Sequence, residues 1–388
     1  MTMRSPVYLS RVSTLLLAAV AGSTIASAAD APEFLAILES DRPRFVNLGS
    51  IDGMGADLLD LEEGWVNYPT GECHAVIRRG KWSYRPSRMR VILHDGQTLP
   101  GVFVEGDEEH LKIDHLWLRE LVIPLDRINR IEFRSGASIP EGTGDRVVLA
   151  NGDFLEGFLE QVGDPTVIET GDGERVEIPL DRVAAVAIEG EPVEPRWPQV
   201  WTIDGVRMSV DKAEFMSSGR IGLARHEFMT DDYDRLPGSD EIVALVFDGS
   251  RFSPLATMPV ETINTSVARR TAPPPRHERR SAPVGLTDLH LQGPARFEFT
   301  LPDRADRFRT SLRRSRQGGR WPSPTITISA GEQELWTGTA QQDSPLDLSL
   351  ANLSGPLVIE LTCGDQGPVH CGVTLVDPII SRAAVETP

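Results

Sequence analysis

The sequence is short of several things. Beyond its first thirty residues it has no apolar run near the ~20 residues that a bilayer-spanning helix needs. It has almost no sustained 3.6-residue periodicity, so amphipathic helices are not its main building block. It is poor in positive charge: 39 Lys and Arg stand against 57 Asp and Glu, a net −18 with pI near 4.9. Non-specific nucleic-acid binding draws most of its affinity from cations on phosphates, so this balance excludes that class. Cysteine is scarce too, with three in 388 residues. Cys363, His370 and Cys371 make a weak candidate for a zinc site, since no fourth ligand is apparent, and no metal is assigned.

Catalytic motifs are also missing. His-Glu occurs in "RHEFM" (225–229) and "RHERR" (276–280), without the second His that a zinc helix requires. No G-x-S-x-G elbow and no phosphate loop is present. The carboxylates of "TDDYD" (230–234) lack EF-hand spacing; they bind Ca²⁺ or only solvate a loop. No cofactor, metal or catalytic residue is assigned. The chain is expected not to be an enzyme.

Glycine and proline are plentiful, 34 and 29. With the scarcity of helical patterns, they predict an all-β protein of many short strands and turns. The N-terminus carries Arg4 and Arg11 without acids, then apolar "VSTLLLAAVAGSTIA", then Ala26-Ser27-Ala28. That order predicts a signal peptide over 1–28 and an exported mature chain in the periplasm, at the cell surface or outside, with no membrane span. Disulfides persist there. Cys363 and Cys371 bracket the turn "GDQGPVH" between two alternating runs and are expected to pair. Cys73 is left as a buried free thiol.

One pentapeptide, IPLDR, occurs twice, at 123–127 and 178–182. Upstream, "RVILHDGQTLPG" from Arg90 lies over "RVVLANGDFLEG" from Arg146. Gly96 and Gly152 are 56 residues apart and Pro124 and Pro179 are 55 apart, so the unit is an internal repeat. Asp-Gly and Asn-Gly set tight hairpins. Gly101 and Gly157, inside the next strand, mark sharp bends. The Pro makes a corner, Asp126 and Asp181 are expected to cap a single turn there, and Ile128 and Ile131 point inward. A degenerate third copy begins at "VWTIDGVRMSV" and ends at "DEIVALVFDG", where Ile242, Leu245 and Phe247 echo Ile128, Ile131 and Phe133. The repeats therefore span 88–136, 144–190 and 198–258; residues 30–87 show no matching hairpin and stay of unclear type. The pattern V-x-L-x-DG-x-x-L-x-G with a closing strand resembles the SH3-like and Sm-like small barrels. That resemblance implies five-stranded barrels. From 88 to 190 the chain has 10 basic and 21 acidic residues, so the RNA binding known among such barrels is not expected here.

Residues 259–281 form a linker, within the Pro- and Arg-rich stretch "SVARRTAPPPRHERRSAP" (266–283). Residues 282–384 then alternate in six to eight short runs, which predicts a β-sandwich of jelly-roll type. Their phrases resemble the NPCBM family, the carbohydrate-binding modules associated with family 98 glycosyl hydrolases. Gly285 to Pro302 matches its opening, with His290, Pro294, Arg296, Phe297, Leu301 and Pro302 in register. "DRFRTSL", "TITISAGEQELWTG", "DLSLANLSGPLVIEL" and "HCGVTLVDPII" follow in the family's order. The resemblance implies a galactose-binding-like sandwich and a carbohydrate partner. The family's acidic loop is here "RRSRQGGRWPSP", and its closing Asp-Trp is Val373-Thr374. Trp321 beside Arg313, Arg314, Arg316 and Arg320 makes either a sugar-stacking patch or a Trp folded on its own loop with a solubilising rim. The first is taken as the candidate site: Trp321, Arg313, Arg316 and Arg320. Trp336 is expected in the core, His290 as a structural histidine, and Asp377 as a cap on the final turn.

The sequence thus predicts an exported, non-catalytic carbohydrate-binding protein. The alternatives are an envelope scaffold that contacts proteins, and a glycoside hydrolase with an unrecognised site.

Overall fold

In a computed structural model of the chain, residues 34–383 are described, apart from 40–43, 53–54, 61–63, 70, 80–84, 86–88, 116, 135–136, 141, 211–212, 216–220, 224–227, 229–236, 266–272, 278–282, 315–323, 341–343 and 364–370. They are all-β and belong to one compact unit. The predicted signal peptide, "TDDYD" and the Arg/Trp loop with Arg316, Arg320 and Trp321 lie outside the described residues. So does "RHEFM" but for buried Phe228.

The first five-stranded unit has β1 (Phe34–Leu38), β2 (Arg44–Asp52), β3 (Gly55–Asp60), β4 (Gly64–Pro69) and β5 (Cys73–Arg78). The second has β6 (Met89–Leu93), β7 (Thr98–Gly106), β8 (His110–His115), β9 (Arg119–Pro124) and β10 (Ile128–Glu132). The third has β11 (Asp145–Leu149), β12 (Phe154–Gln161), β13 (Thr166–Thr170), β14 (Arg175–Ile178) and β15 (Val183–Ala187). In each, the first four strands form an antiparallel meander and the fifth returns to pair with the first. The fourth unit has β16 (Gln199–Thr202), β17 (Arg207–Ser209), β18 (Ala213–Phe215), β19 (Ile221–Leu223) and β20 (Ile242–Val246), and β20 again pairs with β16.

Residues 30–87 therefore contain a copy of the unit that the sequence does not reveal. Its Asp-Gly hairpin is absent, but the corner survives: Pro69 stands four residues before Cys73, as Pro124 before Ile128 and Pro179 before Val183. Pairing needs only backbone groups and alternating burial, so the order of strands outlives the turn letters.

The corners hold one departure. Leu125–Arg127 and Leu180–Arg182 are single 3-10 turns, but neither is capped by its own Asp or by the proline that precedes it. Asp126 and Asp181 lie inside the turns, too late to reach the leading N–H. The Leu125 N–H instead donates to Glu109 O (2.8 Å), and the Leu180 N–H to Asp164 Oδ1 (3.1 Å). The bend positions fit the expectation. An added Cβ would lie 2.0 Å from Glu169 O at Gly157 and 3.0 Å from Asp114 O at Gly101.

The units associate in two pairs with the same register. In the second and third units, β10 lies antiparallel to β15 with Ile131 opposite Val186. In the first and fourth, β5 lies antiparallel to β20 with Val76 opposite Leu245. Each of these four residues is fourth in its strand, and none is more than 2% exposed. Each pair is thus a pseudo-twofold dimer built on a four-stranded ribbon, β6-β10-β15-β11 or β1-β5-β20-β16. Strands covered on both faces read as continuous apolar runs, as "VAAVA" and "IVALV" do. Two further pairings, β7 with β17 and β2 with β18, join the strands of all four units into one network of 20.

The C-terminal sandwich begins earlier than the sequence suggests. Strands β21 (Phe252–Pro254) and β22 (Val260–Asn264) fall in the expected third repeat and linker, and β23 (Arg276–His277) falls in the linker too. All three are sheet members: β21 pairs with β31, β22 with β25 and β23 with β24. The remaining strands are β24 (Leu289–Gln292), β25 (Ala295–Phe299), β26 (Ala305–Arg314), β27 (Thr325–Ala330), β28 (Gln333–Thr339), β29 (Ser344–Ser349), β30 (Leu357–Thr362) and β31 (Gly372–Arg382). One sheet runs β23-β24-β31-β26-β29 with β21 also on β31; the other runs β22-β25-β30-β27-β28. Phe297, Phe299, Phe308, Ile328, Ile359 and Leu375 fill the space between them, and Trp336 packs half-buried against that core.

The sandwich sits on the outer face of the first-and-fourth ribbon. Leu35, Ile37, Ala75, Ile77, Ala244 and Val246 of the ribbon form one apolar cluster with Phe252, Leu286 and Ile379. Arg309 on β26, 1% exposed, donates from Nη1 to Leu38 O and from Nη2 to Glu39 O, both at 2.7 Å. Arg79 bridges the buried Asp288 (3.2 Å) and Asp377 (3.0 Å). Asp377 is therefore no terminal cap. It lies within β31 at a bulge opposite Arg309 and Ser311, with φ of 45°, and its carboxylate answers Arg79.

Candidate functional site

The candidate sugar site is built on β26, "ADRFRTSLRR". Phe308 and Leu312 point into the core, so Arg307, Arg309, Ser311 and Arg313 point to the other face. Register extends this face sideways. Arg313 is opposite Thr374, Thr374 opposite His290, and His290 opposite Arg276. Four adjacent strands thus present one polar row, Arg276–His290–Thr374–Arg313. The inward row beside it is Leu289–Leu375–Leu312.

His290 Nδ1 and Thr374 Oγ1 are hydrogen-bonded at 2.7 Å, which fixes the imidazole and leaves its other nitrogen for a further partner. The bond accords with a structural role for His290. The row lies at the end of the sheet where Cys363 and Cys371 are joined by a disulfide, with Cα atoms 5.7 Å apart. There the Gly293 N–H donates to Cys371 O at 2.6 Å. The ends of β24, β30 and β31 are therefore tied together beside the row.

Of the four predicted site residues, the structure describes Arg313 alone. It stands on β26, half-buried, at the end of the row. The sequence reading missed Arg276, because a Pro-rich stretch gives no sign of a two-residue strand. It also missed that Val373-Thr374, where the family pattern has Asp-Trp, supplies a hydroxyl to the row.

Chemically, the row offers cations, an imidazole and a hydroxyl. These are donors suited to sugar hydroxyls or carboxylates. Among the described residues no three His, Cys, Asp or Glu side chains gather as a metal site, and no helix is long and apolar enough to cross a membrane. Cys73 is buried and burial pushes its thiol up to about 12, so it is a poor nucleophile. His74, also buried, is held below its ordinary value by desolvation, although Glu39 Oε2 lies 2.5 Å from Nε2.

No family model matches the chain, and no curated protein sequence matches it. Solved structures give distant likenesses. One is CBM51 from Clostridium perfringens GH95 in complex with methyl-galactose: TM-score 0.25, 10% identity, 34% of this chain and 99% of that one. A second holds the CBM51-2 and INT domains of C. perfringens ZmpB: TM-score 0.28, 9% identity, 47% of this chain and 43% of that one. A third joins the M60 catalytic domain of ZmpB to CBM51-1 and CBM51-2: TM-score 0.29, 10% identity, 79% of this chain and 32% of that one.

Proposed function

We propose that this is an exported, non-catalytic protein that binds carbohydrate at the disulfide-tied end of its C-terminal sandwich. One observation carries the reading: every phrase of the NPCBM resemblance falls on its own part of the sandwich, in order. Gly285 to Pro302 contains β24 and β25, "DRFRTSL" lies on β26, "TITISAGEQELWTG" is the β27–β28 hairpin, "DLSLANLSGPLVIEL" gives the second half of β29 and nearly all of β30, and "HCGVTLVDPII" ends in β31. Trp321 is the stacking residue in this reading, with Arg313, Arg316 and Arg320 holding hydroxyl or carboxylate groups. The barrel units act as a rigid base. Their meander, 3-10 corner and closing strand support the SH3-like or Sm-like reading.

A glycan array probed with the full mature chain tests the proposal. Binding to a defined set of glycans is expected, with single-site affinity micromolar or weaker and raised by multivalent display. Loss of that binding in Trp321→Ala supports the assigned site. Silence toward all neutral and acidic glycans overturns the reading.

A scaffold reading has an observation of its own. Val102 on β7 and Phe158 on β12 occupy equivalent positions in the second and third units and are 66% and 67% exposed. Asp114 and Glu169 stand directly opposite them. Apolar centres with acidic neighbours suit a basic protein partner in the envelope. Salt-sensitive binding of such a partner, lost in Phe158→Ser, is its test.

A further inference from the structure

The two pseudo-twofold pairs present the same ribbon face in different chemistry. In the first-and-fourth pair it is apolar and takes the sandwich. In the second-and-third pair it is mixed: Val148 and Ala185 form a small apolar cluster with Ala137 and Ile139, charged Arg90, Arg130, Glu132 and Arg146 stand around it, and the connecting residues Ile139, Pro140, Gly142 and Gly144 wall a groove of about 440 Å³. Arg130, Ala187 and Arg146 lie side by side in register along the floor, one from each of β10, β15 and β11.

The pseudo-twofold axis passes between Ile131 and Val186, so it exchanges this trio with another. Arg146 maps to Arg90, Ala187 to Glu132 and Arg130 to Ala185. In the related trio Glu132, 2% exposed, accepts from both Nε and Nη2 of Arg90. The protein thus supplies its own carboxylate to Arg90. On the other side of the axis the position of that carboxylate is held by the methyl group of Ala187.

Arg146 consequently lacks the partner that Arg90 has. Its Nη1 donates to Pro140 O, and among the described residues it makes no ion pair. The Nε of Arg146 and the Nε of Arg130 are both buried without a hydrogen-bond partner. A buried N–H left unpaired costs roughly 1–3 kcal/mol, so two beside one groove call for an acceptor. The acids around the groove are otherwise engaged or at its rim. Glu132 Oε1 pairs with Arg130 Nη2 at 2.9 Å; exposed Glu156, opposite Arg146 in register where Arg90 has Pro100, comes up beside Gly142 without forming an ion pair with Arg146; and exposed Glu189 closes the far side.

We propose that this groove is a binding site for a carboxylate-bearing small ligand. The ligand's carboxylate takes above Ala187 the place that Glu132 takes beside Arg90, and accepts from Arg146 and from the Nε–H of Arg130. The volume admits one or two sugar rings, and Asn129 and the backbone of 187–190 offer groups for hydroxyls. Two sources share this chemistry, a uronic-acid sugar and an acidic amino-acid side chain. The site is separate from the sandwich and does not depend on Trp321.

The test is amide-shift titration of the full mature chain with galacturonate, glucuronate, galactose, glutamate and acetate. Uronates are expected to shift residues 129–130, 142–146 and 187–190, while galactose does not. Glutamate or acetate binding as tightly as uronate assigns the simple carboxylate as source and upholds the site. Arg146→Gln should weaken binding at least about tenfold, the loss of one charge-assisted hydrogen bond. That variant could also disturb the Pro140 contact. Ala187→Glu is therefore the second: it adds a carboxylate where Glu132 has one, and should abolish binding while raising the melting temperature. No shifts with any carboxylate, or binding that survives Ala187→Glu, overturns the proposal.

Discussion

Replacing Arg309 tests the joint between the five-stranded units and the sandwich. Its guanidinium is 1% exposed and spans two carbonyls at the end of β1, Leu38 O and Glu39 O, each 2.7 Å away. A hydrogen bond from a charged donor contributes about 1.5–3 kcal/mol, so the pair is worth about 3–6 kcal/mol. Removing the charge also removes its own burial cost, and Asp347 keeps Arg307 at 3.0 Å. The net loss in Arg309→Ala should therefore fall near 3 kcal/mol. Arg309→Lys should cost less than Arg309→Ala, because the ammonium keeps the charge and can reach one acceptor, but it should still destabilise, because it cannot reproduce the planar fork that reaches both. A chain with several modules does not unfold in two states, so a single midpoint is a poor measure. Hydrogen exchange is better. A loss near 3 kcal/mol speeds exchange at Phe34–Leu38 by about a hundredfold, with little change in the third unit. Unchanged exchange in β1, or equal acceleration everywhere, would refute the latch.

Other expectations follow from single contacts. Gly157→Ala should destabilise the third unit by about 1–3 kcal/mol, and Gly101→Ala by less, since the new methyl meets Glu169 O at 2.0 Å in one case and Asp114 O at 3.0 Å in the other; equal melting curves for the two would contradict this. The Cys73 thiol, raised by burial from 9.0 to about 12, stays protonated in the fold while the unfolded chain ionises. Its contribution is full below about pH 9 and declines as pH rises toward 12, a slope that Cys73→Ala should remove from pH-dependent denaturation curves. Opening the Cys363–Cys371 bridge, which closes a loop with a sequence separation of 8, should cost the sandwich about 2.5 kcal/mol by loop entropy. Calorimetry of a Cys363→Ser/Cys371→Ser variant that matches the wild type would argue against it.

How much of this was legible in the sequence depended on where each signal was stored. The second and third units were readable because Asp95-Gly96 and Asn151-Gly152 mark a turn that few residues can make, and IPLDR marks a corner. The first unit uses the same pairings without those letters, so only Pro69 hints at it. The sandwich was recognisable from phrases that fall on strands. Its first strands were not, because β21 has three residues and β23 two, too short for alternation to register. The outward polar row was half legible: Arg313 follows from alternation, while Arg276 joins it only through pairing across the sheet. The Arg130–Ala187–Arg146 groove was invisible. Its residues come from three strands, and their meaning lies in the contrast with Glu132 across an axis that no linear reading contains.

The account turns on where a glycan touches the chain. Hydrogen-exchange mapping of the mature protein, with and without the strongest glycan from the array, measures that directly. Slowed exchange is expected at the strand ends around Arg313–Arg314, Cys363 and Cys371–Thr374, and in the segment 315–323 that contains Trp321. Slowing confined to the four five-stranded units would contradict it.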